Sequence, residues 1–388
     1  MRFYIHGNCQ APAMASLIRE AAPEHEVAFR EVFSLDLDAD RDAFFEDVSN
    51  ADVIFTQPVS SGYRGVEWLG SDWLASNAKP STKVFTFPVV YHRGMLPQCF
   101  PLPGLHHSRL AYHDAHALDY YLRGRTVQDF LRDSSKIDFL PVEFVLSEAL
   151  DSTLELLRRE RVAQIDAGVS DILAERQQLG QPLFVVNHPE RAVLADLTNK
   201  LLRLANAPFI VEVEGRELLD QFIFPPYLSV LRAIRHTGHG IRTDRARVDH
   251  VDEPREVFFD KVFKSYADLG EAELAQAMAG SDLSAYLARY HRACRGKSSS
   301  LKGDVAWLDK LLGRRSSQML EDNRAELVVA LYKLFLGRQP GEVEVMQHLN
   351  GLDRDGYERL LLNFASAPEF KNAGGGDALV HRAASGRL

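Results

Sequence analysis

The sequence predicts an α/β protein with a mainly parallel sheet surrounded by helices, a helix-rich second half and a small all-helical C-terminal module. Three observations predict this fold. The first 90 residues alternate short apolar runs with helical patterns, which is typical of parallel sheets covered by helices. From 141 to 179 the apolar residues fall mostly three or four positions apart, as on an amphipathic helix. Beyond residue 224 the patterns are again mainly helical.

The elements of the N-terminal part follow one another in a regular order. The predicted strands are residues 2–5, 27–33, 52–56 and 83–87. The predicted helices between them are residues 12–22, 40–48 and 66–75. A later apolar run, Leu183–Val186, leads into a helical pattern over Pro189–Ala205, with the proline in the first turn where proline is tolerated. Because this layout repeats that of the first strand and helix, we expect Leu183–Val186 to join the same sheet.

Composition excludes several classes of protein. The chain has 388 residues and a formal net charge of −9, whereas non-specific nucleic-acid binding needs a basic face. Its three cysteines, Cys9, Cys99 and Cys294, are too few and too far apart for a disulfide framework and favour a reducing compartment. No apolar run is long enough to span a membrane, and the N-terminus lacks the apolar segment of a signal peptide. We therefore expect a soluble, cytoplasmic protein.

The domain organisation is predicted from changes in composition. Residues 1–294 form the main domain, and the polar stretch RGKSSSLKGD at 295–304 is typical of a linker. Helical patterns resume after it and predict a separable helical module over residues 305–372. The remaining residues, 373–388, follow a glycine-rich stretch and are expected to be a mobile tail.

The most informative motif is HGNCQAP, which joins the first predicted strand to the first predicted helix. In open α/β sheets ligands bind at the carboxyl ends of strands, where helix N-termini also point. Cys9 then lies at the helix cap, where the helix dipole favours a thiolate and free N–H groups can hold an oxyanion. Asn8 and Gln10 offer further donors. The alternative is that Cys9 is a small buried residue in a tight turn.

A second motif, VVNHPERAVL, has the same layout of strand, polar turn, proline and helix. It places His188 at the end of a strand, on the same edge of the sheet as Cys9 if the strands are parallel. A nucleophile needs a base within hydrogen-bond reach, and histidine titrates closest to neutrality. The alternative is that Asn187 caps a helix and that His188 has no role.

Two further stretches carry weaker signals. His106, His107, His113 and His116 suggest a metal site, but no accompanying cysteine or HExxH pattern supports one, so we predict no metal. Asp114 either caps the helix that follows it or orients a catalytic histidine. No phosphate-binding GxxxxGK[ST] loop, GxGxxG turn or GxSxG elbow is present, which disfavours nucleotide triphosphatases, dinucleotide dehydrogenases and serine α/β-hydrolases.

Two predicted strands end in residues that suit ligand binding. Arg93 follows the strand at 83–87, and a guanidinium binds phosphate through two hydrogen bonds. Gln57 and Pro58 follow the strand at 52–56 and lie on the same predicted edge. Ordinary solvated surface positions are the alternative for both.

Taken together and in this order, these motifs resemble the WcbI-type family of bacterial capsule polysaccharide biosynthesis proteins. The resemblance is carried by GNCQ at 7–10, by Gln57-Pro58 and by NHP at 187–189, and it covers roughly residues 1–290. It implies acetyl-coenzyme A-dependent O-acetylation of a surface sugar, with Cys9 in the nucleophile position and His188 in the histidine position. No motif supplies a third member, so Asp114 is our own suggestion.

The resemblance also groups the remaining candidate residues. Asn8, Gln10, Gln57 and Asn187 are candidates for oxyanion or substrate binding, and Arg93, His92 and Gly7 are candidates for coenzyme A binding. The expected partners are acetyl-coenzyme A and a polysaccharide or sugar-precursor acceptor, with no metal and no nucleic acid. Two other functions remain open, namely a non-catalytic glycan-assembly or binding protein and a hydrolase that uses the same Cys/His pair.

The C-terminus resembles a second family. LYKLFLGRQP at 331–340 and APEF at 367–370 are similar to a small helical module of unknown function, which is often attached to bacterial glycan-modifying and secreted proteins. The usual serine is replaced by Ala367, and the Gly/Trp-containing middle is missing. This partial match implies an additional helical domain and no catalytic role.

Overall fold

A computed structural model describes residues 1–102, 111–234, 236, 241–279 and 281–296, together with positions 341, 343, 344, 347 and 348. Its strands are β1 Arg2–Gly7, β2 Glu26–Glu31, β3 Val53–Thr56, β4 Lys83–Thr86, β5 Cys99–Pro101, β6 Tyr112–Asp114, β7 Leu183–Val185, β8 His188–Pro189, β9 Phe222–Ile223, β10 Arg245–Val248 and β11 Val251–Pro254. Its helices are α1 Gln10–Ala21, α2 Arg41–Asn50, α3 Ser71–Asn77, α4 Ala115–Leu122, α5 Val127–Ser134, α6 Val142–Val162, α7 Ser170–Leu179, α8 Arg191–Ala205, α9 Leu228–Ala233, α10 Arg255–Leu269, α11 Glu271–Ala279 and α12 Leu283–Gly296. The predicted module at 305–372 and tail at 373–388 lie outside the described residues, apart from the positions given above.

The first four strands form one parallel sheet in the order β2-β1-β3-β4. In its register Phe3 of β1 lies beside Val27 of β2 on one side and beside Val53 of β3 on the other. The helices α1, α2 and α3 connect these strands, so the α/β fold with a mainly parallel sheet is confirmed. The predicted helix at 66–75 begins later, at Ser71.

The central strand β1 is buried on both faces of the sheet. Phe3 and Ile5 pack into a core shared with α1 and α8, whereas Tyr4 points into a second core formed with α2 and α3. Because neighbouring side chains of a strand point to opposite faces, a strand with both faces covered is a continuous apolar run. The sequence RFYIHG has this character, and it leads directly to the motif that contains Cys9.

The expectation that Leu183–Val186 joins this sheet is wrong. Strand β7 pairs with β8 in a separate antiparallel ladder, in which Val185 lies opposite His188. The outer edge of β4 is already occupied where a fifth strand would pair. Thr86 N–H donates to Asp166 Oδ2 at 2.7 Å, and Thr86 O accepts from Ala167 N at 3.1 Å. A two-residue turn then reverses the chain, so Pro189 lies in β8 and α8 begins only at Arg191.

The second half contains α9 to α12, as expected, together with antiparallel strands that the pattern analysis missed. These are β9, β10 and β11, which form a small sheet in the order β11-β10-β9. A further antiparallel pair that the patterns missed, β5 with β6, precedes α4 in the first half. Strand β11, VDEP, contains two acidic residues and a proline and has no strand pattern, whereas RARV of β10 alternates in polarity but is only four residues long. The predicted helical run at 141–179 is divided into α6 and α7. Helix α12 continues to Gly296, so the first two residues of the predicted linker are helical.

Across the ranges given above, no helix combines the length and the apolar character that crossing a bilayer requires.

Candidate active site

The order of the central sheet creates a crevice at the carboxyl end of its middle strands. The connection from β1 leads to β2 on one side, whereas β3 lies on the other side. Ligands of open α/β sheets bind where the strand order reverses in this way. Cys9 follows β1 as the N-cap residue of α1, and Gln57 follows β3 directly. The fold therefore brings two of the three predicted motifs to one place.

The side chain of Gln10 joins the third motif to them. Its Nε2 donates to the carbonyl oxygens of Val90 at 3.0 Å and Asn187 at 2.9 Å. Its Oε1 accepts from Val90 N at 3.1 Å and from Gln57 Nε2 at 3.0 Å. This fully buried amide thus ties together the chain segments that follow β1, β3, β4 and β7.

Gln57 extends this network to Asn8. Gln57 Oε1 accepts from Asn8 N at 2.8 Å, and Gln57 Nε2 lies 3.3 Å from Asn8 Oδ1. The close approach needs a glycine at position 7, because a Cβ on Gly7 would come within 2.7 Å of Gln57 Oε1. The structure therefore gives Gly7 a packing reason that does not involve the coenzyme.

The amides predicted to bind substrate now divide into two kinds. The side-chain amides of Gln10 and Gln57 form their hydrogen bonds with other residues of the protein, so their role is to hold the segments of the site together. Asn8 and Asn187 use their side-chain oxygens, Asn8 for Gln10 N and Asn187 for the Tyr112 hydroxyl. Neither Asn8 Nδ2 nor Asn187 Nδ2 donates to any described residue, and both side chains are half-buried. These two NH₂ groups remain available to a ligand.

Cys9 does not have the electrostatic setting that its place at a helix cap suggests. Burial raises the pKa of its thiol to about 11, and the carboxylate of Glu31 adds to this effect. Desolvation therefore outweighs the attraction of the helix N-terminus for a thiolate. At neutral pH Cys9 is a thiol, and its use as a nucleophile requires a base.

His188 has the protonation state of such a base. It is buried in β8, and burial lowers its pKa to about 4, so the ring is neutral at pH 7. Its Nε2 lies 3.2 Å from the hydroxyl oxygen of Tyr112. No hydrogen bond joins His188 to Cys9 within the described segments. One link between the two segments is the Asn187 carbonyl, which accepts from Gln10 at the start of α1.

Tyr112 is a site residue that the sequence analysis missed. It lies in β6, and its hydroxyl donates to Asn187 Oδ1 at 2.6 Å besides contacting His188. Burial raises the pKa of Tyr112, and a charge on Cys9 would raise it further. In the sequence Tyr112 belongs to the tripeptide YHD of β6, which carries no recognisable motif. Only the antiparallel pairing of β5 with β6 brings it beside Asn187 and His188.

The suggestion that Asp114 orients the catalytic histidine is not supported by its contacts. Asp114 Oδ1 caps α4 by accepting from the backbone N–H groups of His116 and Ala117, and both carboxylate oxygens accept from the Tyr227 hydroxyl. Burial raises its pKa to about 6. No bond to His188 is present in the described part of the chain. Its alternative interpretation, a helix cap, is confirmed.

The histidines that suggested a metal have other surroundings. His116 is buried among aromatic rings, its Nε2 lies 2.9 Å from the Tyr286 hydroxyl, and burial lowers its pKa to about 3. His113 stacks on Tyr266. Among the described residues no group of three metal-ligating side chains comes together. His106 and His107 lie outside those residues.

Arg93 and His92 differ in what they offer a phosphate. His92 Nε2 lies 3.0 Å from Thr153 Oγ1 and its Nδ1 accepts from Gly94 N at 3.1 Å, so its ring braces this loop against α6. The guanidinium of Arg93 lies over the ring of Phe100, 4.6 Å from its centroid. It forms no ion pair with a described carboxylate and is half-buried. The Arg93 guanidinium therefore lies on an aromatic ring and forms no ion pair within the described ranges, although burial raises the pKa of the Asp151 carboxyl and the charge of Arg93 partly offsets that rise.

The chain is similar in sequence and in fold to known proteins. The sequence model of the family described as "Polysaccharide biosynthesis enzyme WcbI" matches residues 2–209. A search of curated proteins found no significant match.

A solved structure of WcbI, described as a novel polysaccharide biosynthesis enzyme, has the same fold, with a TM-score of 0.64 and 18% sequence identity. The matching region covers 75% of this chain and 98% of that one, and the neighbour is described as the native protein without a disulfide bond between coenzyme A and a cysteine. The family match spans more than half of the sequence and includes Cys9, Gln57 and His188. The chain belongs to the WcbI family of polysaccharide biosynthesis enzymes.

Proposed function

We propose that this protein is a cytoplasmic O-acetyltransferase that moves the acetyl group of acetyl-coenzyme A to a sugar hydroxyl during bacterial capsule polysaccharide biosynthesis. The observation that carries the proposal is the Gln10 network, which joins the GNCQ, Gln57-Pro58 and NHP motifs into one site. Three motifs far apart in sequence converge on a thiol and a neutral imidazole. Acyl transfer needs a nucleophile or a base in such a place, together with oxyanion donors.

Coenzyme A is supported by the chemistry of Cys9. The WcbI structure is described as the native protein without a disulfide bond between coenzyme A and a cysteine, and this mention of the pair supports placing the coenzyme thiol beside a cysteine here. Cys9 is half-buried and forms no disulfide bond. It lies at the crevice where a ligand of this sheet would bind. We propose that the pantetheine end of acetyl-coenzyme A lies against Cys9.

Two routes of acetyl transfer fit these residues. In the covalent route His188 takes the proton of Cys9, the sulfur attacks the acetyl carbonyl, and the coenzyme thiolate leaves. The imidazolium of His188 gives its proton to that thiolate. His188 then takes the proton of the sugar hydroxyl, whose oxygen attacks the acetyl-cysteine, and Cys9 leaves and recovers a proton from His188. In the direct route His188 deprotonates the sugar hydroxyl, the oxygen attacks acetyl-coenzyme A itself, and the coenzyme thiolate leaves and takes the proton from His188. In both, the NH₂ groups of Asn8 and Asn187 are the donors for the developing oxyanion.

The reaction is tested by following the release of coenzyme A thiol from acetyl-coenzyme A. We expect release only when a sugar or oligosaccharide acceptor with a free hydroxyl is added, and we expect the acceptor to gain one acetyl group in its mass spectrum. Steady release into water alone indicates a hydrolase. Binding of the glycan with no turnover of any acyl-coenzyme A indicates a glycan-assembly or binding protein.

Arg93 is expected to hold a phosphate of coenzyme A. An acidic protein must concentrate positive charge locally to bind this anion, and Arg93 lacks a carboxylate partner among the described residues. Arg93→Ala should weaken coenzyme A binding by about 10-fold to 100-fold, the effect of losing a charged hydrogen bond. Isothermal calorimetry measures this. The control is Arg158→Ala, because Arg158 is exposed on α6 and already paired with Glu155 at 2.7 Å. Equal affinity in both variants would reject the assignment of Arg93.

A further inference from the structure

The contacts of Tyr112 determine which nitrogen of His188 carries a proton. The Tyr112 hydroxyl lies 2.6 Å from Asn187 Oδ1 and 3.2 Å from His188 Nε2. The two rings meet edge to face, with centroids 5.5 Å apart. The hydroxyl therefore has two partners but only one proton to donate.

The shorter contact takes that proton. Asn187 Oδ1 is an amide oxygen and can only accept, so Tyr112 donates to it. The lone pair of the Tyr112 oxygen then faces His188 Nε2, and this contact is a hydrogen bond only if Nε2 carries the proton. In a neutral ring Nδ1 is then unprotonated. Nδ1 is buried and makes no hydrogen bond to a described side chain.

We propose that Tyr112 is a positioning residue that, together with Asn187, holds neutral His188 as the Nε2–H tautomer and leaves Nδ1 as the atom that accepts a proton. The tautomer follows from the contacts alone, whereas its use as a base rests on the proposed acetyl transfer. When the ring takes up a second proton in the proposed transfer, that proton goes to Nδ1 and the imidazolium keeps donating through Nε2 to Tyr112. The proton does not pass through the tyrosine.

The surroundings of Tyr112 favour this arrangement. The titratable groups whose charges would act on it are Cys9, Cys99 and Tyr91, and burial raises the pKa of each. All are neutral at pH 7, so no anion competes for the tyrosine proton. Asn187 is held in place because its carbonyl accepts from Gln10 Nε2.

The competing arrangement is also defined by the structure. The backbone of Leu219 offers the His188 ring a hydrogen bond, which partly offsets the lowering of its pKa by burial. A proton on Nδ1 would point toward this backbone, and Tyr112 would then donate to His188 Nε2. That choice would leave Asn187 Oδ1 without its 2.6 Å donor.

The tautomer can be measured without any assay of activity. In the full-length protein labelled with ¹⁵N-histidine, long-range ¹H–¹⁵N spectra distinguish protonated from unprotonated ring nitrogens. The His188 signals are identified by their absence in His188→Gln, or by their contact with the Tyr112 ring if that variant does not fold. We expect a neutral ring with the proton on Nε2. A proton on Nδ1 would overturn the proposal.

Two variants test the role of each partner. Asn187→Ala frees the Tyr112 proton, so the His188 signals should shift toward the Nδ1–H tautomer even though Tyr112 is present. Tyr112→Phe keeps the ring packing but removes the acceptor for Nε2, so the two tautomers should mix. Tyr120→Phe is the matched control, because it loses a comparable bond to Asp133 on α5, away from His188. Unchanged His188 signals in Asn187→Ala and Tyr112→Phe would contradict the proposal.

Activity gives the second readout. Tyr112→Phe should lower kcat for acetyl transfer about 10-fold or more, within the usual contribution of a well-placed general base, while coenzyme A affinity stays unchanged. An Nε2–H tautomer in a protein that shows no acetyl transfer would refute the proposed function and leave the tautomer assignment intact.

Discussion

Replacing His188 with alanine is expected to lower acetyl transfer on the order of 10³-fold or more, because either route needs its neutral ring as the base. The effect of Cys9→Ala separates the routes. The covalent route predicts that Cys9→Ala is nearly inactive and that the double variant is little worse. The direct route predicts that Cys9→Ala is tolerated. The kcat and kcat/KM of the three variants, measured with a sugar acceptor, decide between them.

The pH dependence provides an independent check on His188. Its pKa of about 4 lies below the ordinary histidine value, so the base stays unprotonated as pH falls from 7 to about 5. We expect kcat/KM to keep its value over that range and to fall only as pH approaches 4. A decline centred near 6.5 would indicate a histidine exposed to water.

Matched controls for these variants are present in the chain. Cys294→Ala removes a half-buried thiol of α12, and His250→Ala removes an exposed imidazole paired with Asp220. Both should retain activity. Activity at the wild-type level in Cys9→Ala and in His188→Ala alike would remove the catalytic interpretation of this site.

Gln10→Leu is expected to cause the largest loss of structure at the site. The substitution removes the partner of three groups, which are the N–H and the carbonyl of Val90 and the carbonyl of Asn187. Gln57 Nε2 loses one of its two acceptors and keeps Asn8 Oδ1. Each buried polar group left unpaired costs about 1–3 kcal/mol, so the loss of three partners should lower the free energy of unfolding by roughly 3–9 kcal/mol. Urea unfolding measures this loss. The loops carrying Cys9 and His188 should also separate, so coenzyme A binding should weaken.

Gln181→Leu is the matched control for this prediction. The Gln181 amide likewise donates to two backbone carbonyls, those of Leu183 at 2.9 Å and Phe224 at 3.1 Å, without contacting Gln10 or Cys9. It should lower stability and leave coenzyme A binding unchanged. If Gln10→Leu behaves in the same way as this control, the Gln10 network supports only stability and does not organise the site.

The sequence alone was sufficient to predict the features of this protein that depend on residues close together in the chain. Alternating apolar runs and helical patterns predicted the parallel sheet of residues 1–90, because strands buried on both faces must be apolar throughout. GNCQ lies between the first predicted strand and the first predicted helix, so the sequence placed Cys9 at a helix cap. The family followed from three short motifs in order.

Only the tertiary structure decided which polar groups remain available for chemistry. The sequence suggested Gln10 and Gln57 as donors to the substrate. In the structure their side-chain amides bond to residues that lie 47 or more positions away in the sequence. Burial, which no motif reveals, raises the pKa of Cys9 and lowers that of His188. Tyr112 reaches His188 across 76 positions because an antiparallel hairpin carries it there. Hydrogen bonds and desolvation depend on distances through space, and sequence spacing does not contain those distances.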